Sequence, residues 1–132
     1  MAPKLASLDH LVLTVRNIEQ TTDFYAGVLG MTAEEFYPGD GSRRSALKFG
    51  KQKINLHLAG AEFEPKAQTP TPGAADLCFI SETPLSEWKV HLKASEIPIE
   101  EGPVARSGAT GPIQSLYVRD PDGNLIEISN KV

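Results

Sequence analysis

Two hydrophobic spacings take turns along this chain, and the whole sequence of turns occurs twice. Residues 8–15 (Leu-Asp-His-Leu-Val-Leu-Thr-Val) are apolar and β-branched, and a strand there puts Leu8, His10, Val12 and Thr14 on one face. Asn17 then stands as a helix N-cap with Gln20 three residues on, the capping-box spacing. Residues 18–29 change to helical period, with Ile18, Thr22, Tyr25 and Leu29 on one face and Phe24 and Val28 beside it. Gly30 suits the position just past the helix end. Period-two strands are predicted over 32–37, 45–49 and 54–59.

Residues 60–75 break the pattern with Gly60, Pro65, Pro70, Pro72 and Gly73, a linker composition. The plan then starts again. Residues 76–81 read as a strand, and Thr83-Pro84 as an N-cap followed by proline at the first helical position. Leu85, Trp88 and Leu92 follow at helical spacing until Ile97-Pro98 forces a stop. Strands are predicted over 97–101, 113–119 and 125–129. Before the last lies Asp120-Pro121-Asp122-Gly123-Asn124, which meets the requirements of a tight turn.

The expectation is therefore an α+β fold of tandem βαβββ modules, residues 7–60 and 74–131 joined by the linker 61–73, within one domain spanning 1–132. A module of this kind buries one sheet face under its helix and leaves the other needing a partner. Two of them related by a pseudo-twofold axis, within one chain or between two, would enclose a cleft between curved mixed sheets.

Composition removes several classes of function. The 132 residues carry a formal net charge of −4, and no Lys/Arg cluster is longer than Arg43-Arg44, so no electrostatic footprint for nucleic acid exists. Apolar runs are far too short for a membrane span. The first residues lack the apolar stretch of a secretory signal. The single cysteine, Cys78, excludes an internal disulfide and a cysteine-based zinc site, and points to a reducing, cytoplasmic setting.

The polar side chains on the strands then become the candidate chemistry. His10 shares a face with Val12 and Thr14, Asn55 with His57, and Asp76 with Cys78 and Ile80. Glu127 stands out of phase with Ile126 and Ile128. These groups recur on the first and last strand of each half, where pseudo-symmetry would gather them. Converging carboxylates and imidazoles are costly to bury without a cation. A nitrogen and oxygen set without thiolate suits Zn²⁺, Ni²⁺, Mn²⁺, Fe²⁺ or Co²⁺. Taken singly, each has a plainer reading: His10 as a structural histidine and Glu127 as a solvated charge.

The stretches 8–15, 24–31 and 120–127 resemble the vicinal-oxygen-chelate superfamily, which includes glyoxalase I, fosfomycin- and bleomycin-resistance proteins, methylmalonyl-CoA epimerase and extradiol dioxygenases. Residues 53–58, 63–67 and 101–111 further resemble a glyoxalase-domain group with virulence-associated bacterial members, a likeness that brings no particular reaction with it. The resemblance implies His10 and Glu127 as metal ligands. Where glyoxalase I has a second-module histidine this chain has Asp76, which also departs from the His-His-Glu pattern of extradiol dioxygenases. Where that family has a glutamate on the fourth strand, turn-for-turn alignment gives Asn55. A shorter turn over 50–53 gives His57 instead.

The functional expectation is a metal-dependent lyase or isomerase acting on a small substrate with vicinal oxygens, with His10, Glu127, His57 and Asp76 as candidate ligands. Glu127 doubles as proton-transfer base. The alternatives are a metal-free protein that sequesters a ligand, as bleomycin-resistance proteins do, and a dioxygenase. A homodimer is the expected assembly. Asn55 and Arg106 are candidate substrate contacts, the latter on a Gly/Pro-rich segment, 102–112, that reads as a mobile loop. For Arg106 and Lys66 the plainer reading is a solvated charge, and for Cys78 a small core residue. Trp88 reads as packing and His91 as surface, while nothing selects the Tyr117 hydroxyl.

Overall fold

A computed structural model describes residues 2–132, and the chain divides into two compact units, Met1–Thr71 and Pro72–Val132. The first contains β1 (His10–Val15), α1 (Ile18–Thr22) continuing as a π-helical turn (Asp23–Val28), β2 (Thr32–Phe36), β3 (Arg44–Phe49) and β4 (Gln52–Leu58). Its sheet runs β1-β4-β3-β2, with β1 and β4 parallel and the other pairs antiparallel. The second contains β5 (Asp76–Ile80), α2 (Leu85–Ala94), β6 (Glu101–Gly108), β7 (Gly111–Arg119) and β8 (Leu125–Lys131). Its sheet runs β5-β8-β7-β6 with the same polarities. The α+β class and the repeated βαβββ order are as the periodicity predicts.

In the first unit Leu13, Val15, Leu47, Ile54 and Leu56 are buried along with Phe24 and Tyr25. Asn17 caps α1, its side-chain oxygen accepting from the Gln20 amide at 2.8 Å. The helix then widens: the Leu29 amide donates to the Phe24 carbonyl at 3.1 Å, five residues back. The wider turn lets the consecutive rings of Phe24 and Tyr25 both enter the core, edge to face at 5.2 Å.

In the second unit Leu116, Val118, Ile126 and Ile128 are buried, as are Leu85 and Leu92 of α2. Three expectations change here, the first being the strand over 97–101: residues 97–100 are irregular and β6 begins only at Glu101. Thr83 does not cap α2. Pro84 occupies the cap position, and the Leu85 amide is received by the side-chain oxygen of Asn130 at 2.9 Å. The Asn130 amide nitrogen donates in turn to the Ser81 and Thr83 carbonyls, at 2.9 Å each. Nor is 102–112 a loop, because it forms most of the β6–β7 hairpin. The pairing shifts register between Glu101 and Val104, a bulge at Gly102, whose φ is +107°. A Cβ there would lie within 2.4 Å of the Ser115 carbonyl oxygen, so only glycine fits. The Gly/Pro richness marks a bulged strand with a tight turn.

The Asp-Pro-Asp-Gly-Asn turn sets where β8 begins. One Asp120 carboxylate oxygen accepts from the Asp122 and Asn124 amides at 2.9 Å, and the other from the Asn124 side chain at 2.7 Å. Asn124 accepts from the Ala75 amide at 2.8 Å, tying the turn to the chain entering β5. Gly123 takes the positive φ of +90°.

Candidate functional site

Each sheet has an open face opposite its buried aliphatic one, and strand register decides what stands there. In the first sheet His10 lies beside Lys53, Val12 beside Asn55 and Thr14 beside His57. The row through Lys53 continues to Lys48, and that through Asn55 to Ala46. In the second sheet Asp76 lies beside Leu125, Cys78 beside Glu127 and Ile80 beside Ser129. β7 adds Tyr117 beside Glu127 and Ser115 beside Ser129. Matching the two parallel pairs position for position makes His10 the counterpart of Asp76, Lys53 of Leu125, Asn55 of Glu127 and His57 of Ser129. With His10 matched to Asp76, the two registers set Asn55, and not His57, against Glu127.

His57 does not join His10. The register separates them by four positions, roughly 13 Å along the strands at about 3.3 Å per residue. That is twice the register spacing between His10 and Asn55. His57 is instead 7% exposed, edge-on to Phe63 at 5.5 Å. Burial first, and the Arg44 charge second, hold its pKa below the ordinary imidazole value, with Glu62 opposing. His10 is exposed, its Nδ1 2.9 Å from Asp9 Oδ2. Asn55 has its side-chain oxygen buried without a hydrogen-bond partner, an acceptor that native interiors seldom leave unused.

Around Glu127 the second sheet assembles groups that sequence reasoning left apart. Cys78 is exposed, not core, because β5 turns it to the open face. Its sulfur lies 3.3 Å from Ser129 Oγ, which lies 2.7 Å from Ser115 Oγ. Desolvation raises the thiol pKa, the Ser129 hydrogen bond opposes this, and the Glu127 charge adds to it. On the other side, the Tyr117 hydroxyl accepts from Arg106 Nε at 2.9 Å, and Arg106 lies 3.6 Å from Glu101. The Tyr117 bond, followed by the charges of Glu101 and Glu127, raises the Arg106 pKa. Arg106 thus projects from a paired strand. Tyr117 was findable: Ile113, Ser115, Tyr117 and Arg119 alternate in phase, and only the β7–β8 register was lacking. Asp76 is exposed on the same face, two positions before Cys78.

On the first sheet the Arg44 guanidinium lies over Phe63 at 3.8 Å and the Lys53 ammonium over Phe36 at 4.1 Å. Lys66 is engaged at 3.6 Å with both Glu62 and Glu64. Among the described residues no three His, Cys, Asp or Glu side chains gather closely enough to hold a metal ion. Each sheet offers instead one equivalent pair, His10 with Asn55 and Asp76 with Glu127. In donor chemistry each pair by itself suits a divalent ion: an imidazole with an orphaned amide oxygen on the first sheet, and two carboxylates on the second.

The family model described as Glyoxalase/Bleomycin resistance protein/Dioxygenase superfamily matches residues 7–128. The chain belongs to that superfamily. Among its relatives is Virulence protein STM3117 of Salmonella typhimurium, 57% identical over 95% of this chain and 84% of that protein. Another is the glyoxalase domain-containing protein RDO1 of Mycosarcoma maydis, 53% identical over 94% of this chain and 68% of that one. The solved integron cassette protein from the mobile metagenome of V. cholerae superposes with a TM-score of 0.93 at 55% identity, covering 100% of both chains. More distant are the lactoylglutathione lyase of Agrobacterium tumefaciens (TM-score 0.71, 25% identity, 96% and 95% covered) and the metallothiol transferase FosB of Staphylococcus epidermidis (25% identity, 94% and 83% covered). No helix among the described residues is long and apolar enough to cross a membrane.

Proposed function

We propose that this chain is a divalent-metal-dependent enzyme of glyoxalase-like type, performing lyase or isomerase chemistry on a small substrate with vicinal oxygens. His10 and Glu127 are its first ligands, and Asn55 and Asp76 complete the donor set. The observation that carries this reading is the register equivalence of His10 and Asn55 with Asp76 and Glu127, together with the unsatisfied Asn55 oxygen. A lyase and a metallothiol transferase among the distant relatives support it. When bound, such an ion supplies Lewis acidity toward a substrate oxygen.

The chain's own groups do the rest. Glu127 accepts and returns the proton as general base. Tyr117, whose oxygen already accepts from Arg106, keeps its own O–H free to donate toward a substrate oxygen. Arg106 thereby orients the phenol and places positive charge where negative charge develops. The proposal includes a homodimer acting in the cytoplasm.

Metal content of protein purified without chelator tests the reading. The expected result is close to one equivalent of Mn, Zn, Ni, Fe or Co, lost in both His10→Ala and Glu127→Ala and retained in His57→Ala. Protein that carries no metal and recruits none would overturn it in favour of metal-free ligand sequestration.

A further inference from the structure

The open face of the first sheet carries two cations that the metal reading does not use. Lys53 lies between His10 and Lys48 in register, yet its ammonium is found 4.1 Å from the Phe36 ring centre. Phe36 pairs with Arg44, so Lys53 leans along the sheet toward the row that holds Arg44. Between them runs the row of Ala46 and Asn55, where the small alanine leaves room for a long side chain. Lys53 takes part in no ion pair among the described residues. Its counterpart in the second unit is Leu125, so the fold itself does not require a cation there.

Arg44 is held from behind. Its Nη2 lies 2.9 Å from Asp40 and its Nε donates to Ser42 at 3.1 Å, while its plane rests on Phe63 at 3.8 Å. Asp40 is itself fixed, accepting from the Ser42 amide at 2.9 Å and the Ser42 hydroxyl at 2.5 Å. No protein partner takes the Arg44 Nη1 among the described residues. An aromatic face attracts a cation without using its N–H donors directionally. Lys53 is therefore placed without an ionic partner, and Arg44, although paired with Asp40, keeps its Nη1 without a protein acceptor among the described residues.

We infer that this face is an oxyanion subsite: a carboxylate or phosphoryl group of a small ligand is held between the Lys53 ammonium and the Arg44 guanidinium, with Phe36 and Phe63 as walls. It rests on the enzyme reading only in taking that ligand to be the substrate, which it makes anionic. Guanidinium and ammonium together provide several charge-assisted donors for such a group. Two carboxylates oppose it: Asp40, already paired with Arg44, and Glu34, in register with Ala46 on the same face.

The test is an NMR titration of the isotope-labelled, metal-stripped full chain with inorganic phosphate and, separately, acetate, at ionic strength fixed with chloride. Saturable shifts centred on Phe36, Arg44, Lys53 and Phe63 are expected, and the anion that saturates identifies the phosphoryl or carboxylate source. Dissociation constants should rise at least tenfold in Lys53→Gln, recover in Lys53→Arg, fall in Glu34→Gln and stay unchanged in Lys89→Gln. Shifts that never saturate, that persist in Lys53→Gln, or that appear equally at Lys89 and Lys93 would overturn the subsite. Because no metal is present, anion binding by a protein that recruits no metal would sink the enzyme reading and leave this one standing. Metal binding without anion binding would do the reverse.

Discussion

His57 packs against Phe63 with little water around it, and a neutral imidazole is what that setting favours. Its pKa is lowered from 6.5 on folding, so just below pH 6.5 the unfolded chain binds a proton that the native chain refuses. Stability is then fully present above that pH and declines as pH falls through the window beneath it. Urea midpoints should fall between pH 7 and pH 5, and His57→Gln should flatten that slope. A slope unchanged in the variant would place the linkage elsewhere. Cys78 offers a second reading at this scale. Partial desolvation by its neighbours raises its thiol pKa, the Ser129 hydrogen bond opposes this, and the Glu127 charge raises it further, so Glu127→Gln should speed alkylation by iodoacetamide at pH 8. No acceleration would mean that the carboxylate does not act on the sulfur. Sequence alone could set His57 with Asn55 and Cys78 with Asp76 by alternation, though it read Cys78 as a small core residue. It could not say that one is enclosed by Phe63, six residues further on, and that the other is paired across strands with a carboxylate.

Among the elements, those built from local signals were legible and those built from distant partners were not. Asn17 and Gly30 bracket the first helix because capping needs only neighbours. Thr83 suggests the same for α2, but the Leu85 amide is satisfied by Asn130, 45 residues away in sequence. Asn130→Ala removes that acceptor and both return donors, and should cost about 1–2 kcal/mol in thermal unfolding. A Thr83→Ala change should cost far less. The turn before β8 was readable because the bonds that close it are local and centre on Asp120, although its tie to Ala75 is not. Replacing Asp120 with alanine leaves the buried Asp122 and Asn124 amides without an acceptor, at a cost of roughly 3 kcal/mol by urea denaturation. A change below 1 kcal/mol would show that water takes over the role of the carboxylate. The hairpin β6–β7 was misread for the opposite reason. Its glycines serve a bulge and a close backbone approach to β7, which no window confined to 102–112 contains.

For the whole molecule, the duplication was legible because a βαβββ order leaves a periodic trace even where identity between the halves is weak. The proposed ligand set was only half legible, since it depends on how β1 aligns with β4 and β5 with β8. Parallel partners are joined through a helix and two further strands, so turn lengths do not determine their register. Once both registers are known, Asn55 and Glu127 occupy the same position of the repeat. If that position is what selects a ligand, a carboxylate introduced at 55 should behave as Glu127 does. Asn55→Glu is expected to tighten divalent-ion binding on the order of tenfold in competition with a chromophoric chelator, because each added carboxylate raises the affinity of an oxygen-rich site. Asn55→Leu should weaken binding and His57→Ala should leave it unchanged. Should His57→Ala abolish binding while both Asn55 variants remain silent, the equivalence of the two sheets would be a matter of architecture only, and the metal would be held by a set of residues that the repeat does not dictate.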